Sequence, residues 1–448
     1  MFYIVETEEQ LSFLTNKIRK GAFIEVISSN DNFHPKLTAT VAVYLRPLLE
    51  DKGYIIPIQH TDGLNVEKIR VEQLLLESEV LYSYNKKDIL YHFFHYNIVD
   101  INLLYSLREY NNLSLPANPS TVEWYYSRME DLDYINSIVP LVKLYERCET
   151  NSEYLIPIIE KYQDMLSDPS WRFYNKTALS VYYLLEQSGL RVIYESFVRL
   201  FTPNTPKFNI QDNIVYGAYN PYNTTSRPTN SFNSVNLAAI PKKEEHRRSI
   251  IAKNDTFVEF DFDGYHVRLL ADIVGYKFTE ESVHTQLGRL YYNRGAHEDL
   301  TEEEYKQSKQ TTFQILYGGV PDKWRHIEFF DKVHELTQKL WKEFKQNGLV
   351  RAPISQKPFT DKLKDMNSNK LMNYILQSVE TSRNILILKE VLKYLKDKKT
   401  QAVLYTYDSI LIDFSKSDGK QTLADLENIL SKDGYPVKYK ASSNLVLE

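Results

Sequence analysis

The amino-acid sequence predicts a multidomain protein in which an α/β domain is combined with an α+β region. Three observations support this prediction. The chain has 448 residues, enough for two or three domains of ordinary size. Residues 1 to about 110 alternate short apolar runs with helical ones, which is typical of an α/β sheet domain. Two further strand-like runs in the C-terminal half each end near an aspartate, in TFVEFDFDG and in AVLYTYDSILIDF.

The composition is that of a folded globular protein, with 43% hydrophobic and 25% charged residues. A single cysteine, Cys148, excludes an internal disulfide framework and suits a reducing compartment. The N-terminus, MFYIVETEEQ, is acidic where a signal peptide would be basic, and no apolar run reaches about 18 residues. We therefore expect a soluble protein of the cytoplasm.

Two stretches in the middle and C-terminal parts have a distinct character. Residues 120 to about 200 have a helical pattern, and the polar segment YGAYNPYNTTSRPTNSFNSVN that follows is a candidate linker. The net charge of −5 does not indicate a nucleic-acid partner, but residues 351–400 hold eleven basic and five acidic side chains. That local excess suits a phosphate backbone, and a solvated helix face explains it almost as well.

The run KQSKQTTFQILYGG, residues 306–319, is predicted to be a helix that ends at its double glycine. Lys309, Phe313 and Tyr317 recur every four residues, so on a helix they project from nearly the same face. A core stripe with one snorkelling lysine is the simplest interpretation of this face when it is considered alone.

Two aspartates lie where predicted strands stop. Asp261 ends the strand that runs through Phe260, before a helix that begins near Gly264, and Asp408 lies with Tyr407 at the turn of a predicted hairpin. A single aspartate in such a place is usually a turn former. A pair of carboxylates, however, is what two magnesium ions about 3.5 to 4 Å apart require.

The order of these segments resembles the polymerase module of the DNA polymerase I family, or family A. In that family a catalytic aspartate is followed seven residues later by an arginine, as Asp261 is by Arg268 in DFDGYHVR. The helix KQTTFQILYG resembles the family's motif B, and TYDSILID resembles its motif C at Asp408. Shorter matches keep the family's order across roughly residues 215 to 448: TSR at 225–227, NLAAIP at 236–241, RR at 247–248 and NYILQ at 373–377.

The resemblance implies a template-directed DNA polymerase whose partners are primer-template DNA and deoxynucleoside triphosphates. Asp261 and Asp408 would be the catalytic residues and would bind two Mg²⁺ ions, for which Mn²⁺ is a possible substitute, with help from the Phe262 carbonyl. The residues expected to contact the nucleotide are Lys309, Phe313, Tyr317, His266 and Lys306. Those expected to contact DNA are Arg227, Arg268, Asn373, Gln377 and Tyr407, although Asn373 and Gln377 also fit an ordinary polar helix face.

The sequence departs from the family at several of these positions. Ser409 replaces the glutamate that follows the motif C aspartate, and serine there is also found in single-subunit RNA polymerases. The spacing from Asp261 to Arg268 and the absence of length for a promoter-recognition domain favour DNA synthesis. Tyr305 replaces a usual arginine, whose charge Lys306 could supply. His266 replaces the glutamate that blocks the sugar 2′-hydroxyl, and we expect it to keep sugar selection by pairing with Tyr317.

The N-terminal domain resembles the RNase H-like 3′-5′ exonuclease that usually precedes this polymerase module. Its second motif corresponds to Asn85 and Asp88, and its third to Tyr126 and Glu130. The first motif should be Asp-x-Glu, but AFIEVIS offers Glu25 followed by Ile27. The remnant of Glu25, Asp88 and Glu130 therefore lacks one metal-binding carboxylate, so we expect no proofreading activity and a supporting role for the domain.

The resemblance implies a right-hand polymerase after the exonuclease-like domain. The expected divisions are residues 1–140 for the exonuclease-like domain, 141–205 for a short helical thumb, 206–275 and 360–448 for the palm, and 276–359 for the fingers. A composition rich in Lys, Asn, Tyr and Ile suggests a phage-type protein. The alternatives are a non-catalytic nucleic-acid-binding homologue, an enzyme like a single-subunit RNA polymerase, and a phosphodiesterase that uses the N-terminal domain.

Overall fold

The computed structural model describes residues 3–129, 132–201, 210–230, 236–279, 282–295 and 297–447. The chain divides into two units, Met1–Tyr222 with Asn230–Leu237, and Asn223–Thr229 with Ala238–Glu448. Within the described ranges, no helix has both the length and the apolar character that crossing a membrane requires.

The N-terminal unit is built on a mixed sheet, which in the described residues has six strands in the order β1-β4-β3-β2-β5-β6. Strand β2 pairs antiparallel with β3 and parallel with β5. The strands are β1 (Tyr3–Ile4), β2 (Ala22–Ser28), β3 (Thr40–Pro47), β4 (Tyr54–Pro57), β5 (Leu81–Ser83) and β6 (Ile98–Asp100). This sheet confirms the α/β prediction for the first part of the chain.

Helices make up most of the rest of this unit, which confirms the helical pattern predicted from residue 120. The helices are α1 (Glu8–Ile18), α2 (Lys68–Leu76), α3 (Lys86–His92), α4 (Ile101–Glu109), α5 (Ser120–Met129), α6 (Ile135–Ile138), α7 (Leu141–Lys161), α8 (Pro169–Phe173), α9 (Leu179–Glu186) and α10 (Tyr194–Phe201). Three short antiparallel strands follow in the spatial order β7 (Leu190–Val192), β9 (Ile214–Val215) and β8 (Ile210–Gln211).

Helices cover both faces of the six-stranded sheet. Leu14 of α1 and Val71 of α2 belong to one buried cluster with Ile24 of β2. Leu144 of α7 belongs to the opposite cluster with Phe23 of β2. A sheet covered on both faces needs apolar residues at nearly every strand position, which is why β2 and β3 read as almost continuous apolar runs.

The chain passes from one unit to the other within the polar segment predicted as a linker, between Tyr222 and Asn223, and the described residues of this segment are also held by specific contacts. In the N-terminal unit, Tyr222 is buried and its hydroxyl donates to Asp100 Oδ2 at 2.9 Å. In the C-terminal unit, Lys357 Nζ donates to Asn223 O at 2.8 Å and to Ser226 Oγ at 2.5 Å. These polar groups are hydrogen-bonded in protein interiors.

The C-terminal unit contains an antiparallel sheet in the order β16-β17-β13-β18. Its central pair joins β13 to β17 with Asp261 opposite Ser409. After the short strands β10 (Tyr219–Asn220) and β11 (Thr229–Asn230), the remaining strands are β12 (Ile250–Ile251), β13 (Thr256–Phe262), β14 (Leu349–Arg351), β15 (Pro358–Thr360), β16 (Gln401–Thr406), β17 (Ser409–Phe414) and β18 (Val437–Ser442). Strand β13 extends two residues beyond the predicted Phe260.

The helices of this unit include the predicted glycine-terminated run. Helix α14 begins with a capping box formed by Thr301 and Glu304 and ends at Gly318, before Gly319 at φ 96°. The helices are α11 (Glu244–Arg248), α12 (Tyr265–Val274), α13 (Val283–Tyr291), α14 (Glu302–Gly318), α15 (Glu328–Asn347), α16 (Ser368–Leu395) and α17 (Gln421–Ser431). The predicted helix and its stop at the double glycine are confirmed.

Candidate active site

The two predicted acids come together at the ends of paired strands. Asp261 lies opposite Ser409 in the β13–β17 ladder, and the Phe262 N–H donates to the Asp408 carbonyl at 3.1 Å. Tyr407 and Asp408 form the two-residue turn between β16 and β17, with Tyr407 at φ 50°. The predicted hairpin is therefore confirmed, and it brings together two carboxylates that are far apart in the sequence.

These carboxylates repel one another electrostatically. Both side chains retain access to solvent, but surrounding protein and then the charge of Asp408 raise the pKa of Asp261 to about 7. Burial, followed by the charge of Glu380, also raises the pKa of Asp408. The ammonium group of Lys309 acts in the opposite direction on Asp261, which shows that helix α14 brings a cation into range.

The donor set suits a hard divalent cation. A cation between Asp261 and Asp408 would offset the charge of Asp408, which contributes to the raised pKa of Asp261, and oxygen is the ligand that Mg²⁺ prefers. In the ranges that the structure describes, no group of three or more His, Cys, Asp or Glu side chains is arranged to hold a metal. Two carboxylates and the Phe262 carbonyl would thus leave positions for water and substrate phosphate, as is common for Mg²⁺.

A third carboxylate, Glu259, lies beside this pair and was missed by the sequence analysis. Its Oε1 is 3.4 Å from Ser409 Oγ, and its charge is among those that raise the pKa of Asp261. Residues 259 and 261 face the same side of β13 because side chains alternate along a strand. That period of two is the signal by which Glu259 could have been found.

Helix α14 presents the predicted face. Lys309 is exposed, and the rings of Phe313 and Tyr317 stack with centroids 5.9 Å apart and planes inclined by 6°. Lys306, predicted to supply a missing charge, lies 2.6 Å from Glu302 on the same helix. The face therefore offers a cation and a pair of parallel aromatic rings rather than a core stripe.

His266 and Tyr317 are hydrogen-bonded, as the sequence analysis expected. His266 Nδ1 lies 2.6 Å from the Tyr317 hydroxyl, and His266 Nε2 lies 2.9 Å from Oε1 of Glu380. The guanidinium of Arg227 donates to the other oxygen of Glu380 at 2.7 Å through Nε and lies over the ring of Tyr407 at 4.7 Å. The structure thus joins α12, α14 and α16 to the Tyr407–Asp408 turn.

The other residues expected to contact DNA make contacts within the protein. Arg268 Nε donates to the Asp263 carbonyl at 2.9 Å, and Asn373 Nδ2 donates to the Tyr317 carbonyl at 3.0 Å. Gln377 is half-buried one turn further along α16. The Asn373 contact places this side chain at the C-terminal end of α14, where carbonyl groups need donors.

Glu25, Asn85 and Asp88 line a cavity of about 700 Å³ in the N-terminal unit. Glu25 accepts from Asn151 Nδ2 at 3.0 Å, and burial raises the pKa of Asp88 to about 7. Glu130 lies outside the described residues. Arg147, which the sequence analysis did not single out, is buried and lies 2.6 Å from Asp31 and 3.9 Å from Glu25. A guanidinium ion therefore provides positive charge beside these carboxylates.

The fold that carries this site is also found among solved protein structures. The chain resembles the POL domain of Pol1 from M. smegmatis, solved in complex with DNA primer-template and dNTP, with a TM-score of 0.72, 12% sequence identity and 99% of each chain covered. The two chains share a fold. At this identity the likeness extends to the fold alone, and it confirms the predicted similarity to a polymerase domain. No protein-family model and no curated protein matches the chain.

Proposed function

We propose that the chain is a template-directed DNA polymerase that adds deoxynucleotides to a primer 3′ end. The observation that carries the proposal is the pairing of β13 with β17, which brings Asp261 next to Asp408 within range of the Lys309 charge. The shared fold supports it, since the M. smegmatis domain was solved with DNA primer-template and dNTP.

In the proposed reaction, Asp261, Asp408 and the Phe262 carbonyl hold two divalent ions. Mg²⁺, or Mn²⁺ in its place, would activate the primer 3′-hydroxyl and neutralise the negative charge of the leaving pyrophosphate. The protein contributes position: the Phe262–Asp408 backbone hydrogen bond fixes the spacing of the two strands that carry the ligands. The reaction class is in-line nucleotidyl transfer.

The incoming nucleotide would be held by α14. Lys309 offers a point charge for the triphosphate, and the stacked rings of Phe313 and Tyr317 offer an apolar platform for the sugar and the base. His266 would fill the place beside the sugar while it is bonded to Tyr317. Arg227, Arg268, Asn373, Gln377 and Tyr407 would shape the pocket and contact the new base pair.

We assign residues 1–140 as an exonuclease-like scaffold, and residues 141–205, 206–275 with 360–448, and 276–359 as the thumb, palm and fingers of a phage-type family A enzyme. The helix-covered sheet that carries Glu25, with Asp88 on α3, supports the first assignment, and the antiparallel sheet that carries Asp261, with Asp408 in its β16–β17 turn, supports a palm. The guanidinium of Arg147 beside Asp31 and Glu25 favours a scaffold over a nuclease, because it neutralises carboxylate charge that bound metal ions would otherwise neutralise.

Primer extension with Mg²⁺ and four deoxynucleotides tests the proposal. Asp261→Ala and Asp408→Ala should each abolish extension and leave DNA binding intact, because the proposed roles of both acids lie in the chemistry. Asp397→Ala, which removes an exposed acid in the turn after α16, is the matched control and should extend normally. Extension above a few percent in either active-site variant would contradict the assignment of that residue.

The same assay separates the alternatives. Binding of primer-template without extension by the wild-type protein would indicate a non-catalytic homologue. Faster insertion of ribonucleotides than of deoxynucleotides would indicate an enzyme like a single-subunit RNA polymerase, as Ser409 suggests. The retention of both Asp261 and Asp408 favours the polymerase.

A further inference from the structure

Glu380 is a buried carboxylate in the middle of α16 to which the sequence analysis gave no function. Its exposed fraction is 2%, and both of its oxygens are used: Oε2 by Arg227 and Oε1 by Nε2 of His266 at 2.9 Å. Burial acts to raise the pKa of Glu380, but bonding to His266 and the charge of Arg227 outweigh it and lower the pKa below its usual value. Glu380 is therefore a charged group at neutral pH.

The ionised carboxylate determines which nitrogen of His266 carries the proton. Nε2 lies 2.9 Å from Glu380 Oε1 and 3.4 Å from Nη2 of Arg227, so the carboxylate is the nearer neighbour. A carboxylate can only accept, so Nε2 is the donor in the bond to Glu380. In the neutral ring, Nδ1 is then the acceptor, and the hydroxyl of Tyr317 must donate to it across 2.6 Å. Burial raises the pKa of Tyr317 to about 12, so the phenol keeps the proton that this bond requires.

Helix α16 thereby holds Tyr317 at two points. Asn373 donates to the Tyr317 carbonyl at 3.0 Å, and Glu380 reaches its hydroxyl through His266. Residues 373 and 380 are two helical turns apart and so lie on the same face of α16. Loss of the second hold would free the ring of Tyr317 while its backbone stays in place.

We propose that Glu380 is a positioning residue that sets the place and hydrogen-bond direction of Tyr317 through His266, and thereby sets the selection of deoxyribose over ribose. The inference rests on the proposed polymerase function. The resembling family uses one glutamate beside the sugar. In this chain the ring of His266 would fill that space, and the buried carboxylate of Glu380 behind it would orient the ring.

The proposal separates Glu380 from an ordinary structural ion pair. If Glu380 acts only by stabilising the fold, its removal should lower the activity with both sugars alike. If it acts through His266, its removal should change the ratio of the two sugars, and this change should disappear once His266 is absent.

The test is a double-mutant cycle on the ratio of insertion efficiencies for deoxy- and ribonucleotides. Glu380→Gln keeps the shape but replaces one of the two acceptor oxygens with an NH2 donor, so the side chain can no longer accept from both Arg227 and His266. The ratio should fall about tenfold, as expected for loss of one hydrogen bond to a charged group. In a His266→Ala background the same change should have no further effect. Glu390→Gln, an exposed residue of the same helix that pairs with Lys432, is the control and should keep the wild-type ratio.

A second measurement does not depend on polymerisation. Nitrogen-15 NMR of histidine-labelled protein, with His266→Ala to assign the signal, should show His266 protonated at Nε2 in the wild type and a loss of that preference in Glu380→Gln. If Glu380→Gln does not fold, Glu380→Asp, which keeps the charge but shortens the reach, should show the same loss of selectivity.

Three results would overturn the inference: an unchanged ratio in folded Glu380→Gln, additive effects of the two substitutions, or protonation of His266 at Nδ1 in the wild type. Absence of primer extension by the wild-type protein would instead overturn the proposed function and, with it, the role in sugar selection. The NMR measurement would then still decide whether Glu380 orients the histidine.

Discussion

His266 Nδ1 and the hydroxyl of Tyr317 lie 2.6 Å apart, which joins the first turn of α12 to the last turn of α14. His266 is buried, so its ring occupies this place with little freedom. The sequence analysis matched His266 to the glutamate that excludes ribonucleotides in the resembling family, and this match stays a prediction. The contact therefore shows how the proposed sugar selection could be built: the imidazole ring of His266 supplies bulk beside the sugar and is held there by Tyr317.

Replacement of His266 by alanine should open space beside the sugar. We expect the ratio of deoxy- to ribonucleotide insertion efficiency to fall at least tenfold, which corresponds to about 1.4 kcal/mol. His326→Ala, which removes an exposed histidine of the same unit, should leave the ratio unchanged. Single-nucleotide insertion kinetics with both sugars measure this ratio, and an unchanged value for His266→Ala would show that the ring only fills space.

Phe313 should cause discrimination against dideoxynucleotides. Its ring stacks on Tyr317 and has no hydroxyl to replace the contact that a missing 3′-hydroxyl would make. Phe313→Tyr adds that hydroxyl and should increase incorporation of dideoxynucleotides, whereas Phe313→Met, which adds no donor, should not. Chain-termination assays compare the three proteins, and equal termination by wild type and Phe313→Tyr would remove Phe313 from the sugar pocket.

The wild-type protein should degrade single-stranded DNA very slowly from the 3′ end, with Mg²⁺ or with Mn²⁺. Ile27 stands where the first exonuclease motif needs an acid, and Arg147 provides a cation 2.6 Å from Asp31. Asp88→Ala should leave the slow background rate unchanged. Release of labelled 3′ nucleotides is the measurement, and robust degradation that disappears in Asp88→Ala would contradict the expectation.

Local patterns were sufficient to predict the elements that carry most of the candidate site. The four-residue spacing of Lys309, Phe313 and Tyr317 predicted a helical face because helix geometry depends on near neighbours. The approach of Asp261 to Asp408 was predictable only from the resemblance, since strand pairing over so long a separation has no local signal. The division into thumb, palm and fingers stays a prediction.

The residues that the sequence analysis missed share one physical feature, which is that packing from distant segments gives them their role. The residues around Glu380 in α16 are largely buried. A charged residue at such a position indicates that it has a partner, but the sequence does not show which residue the partner is. Arg147 is similar in α7, where its partners Asp31 and Glu25 come from the sheet. The polar segment around Tyr222 has hydrogen-bond partners that are distant along the chain, and these partners cannot be identified from the sequence.

Lys357 should make the stability of the protein depend on pH. It is 2% exposed, and burial lowers its pKa from 10.5 to about 7. Below pH 7 both the folded and the unfolded chains hold this proton, so the cost of burying the charge is fully present. Between about pH 7 and 10.5 only the unfolded chain holds it, so stability should rise with pH, by at most about 1.4 kcal/mol per unit.

Lys357→Met isolates this contribution, because the other titrating groups are common to both proteins. The substitution also removes the hydrogen bonds to Asn223 and Ser226, which adds an offset that does not depend on pH. Urea unfolding at pH 7, 8 and 9 should therefore show the wild type gaining stability relative to Lys357→Met at each step. Parallel pH profiles for the two proteins would contradict the lowered pKa.

Gly264 and Gly275, at the two ends of α12, should respond differently to alanine, although both lie in the left-handed region at φ 60° and 65°. A Cβ at Gly275 meets no atom within 4 Å, so Gly275→Ala should lose only about 1 to 2 kcal/mol from backbone strain. At Gly264 the Cβ would lie 2.4 Å from Cγ2 of Val283, a stiff β-branched side chain, so the backbone must shift. Because Gly264 separates Asp261 from His266, Gly264→Ala should lower both stability and primer extension, and the loss of stability should exceed that of Gly275→Ala.

In a Val283→Ala background the clash is absent, and the loss of stability caused by Gly264→Ala should fall to the value for Gly275→Ala. Urea unfolding of the wild type, the three single variants and the Gly264→Ala/Val283→Ala double variant measures this coupling. A penalty that is the same in both backgrounds would show that Val283 is not the obstacle.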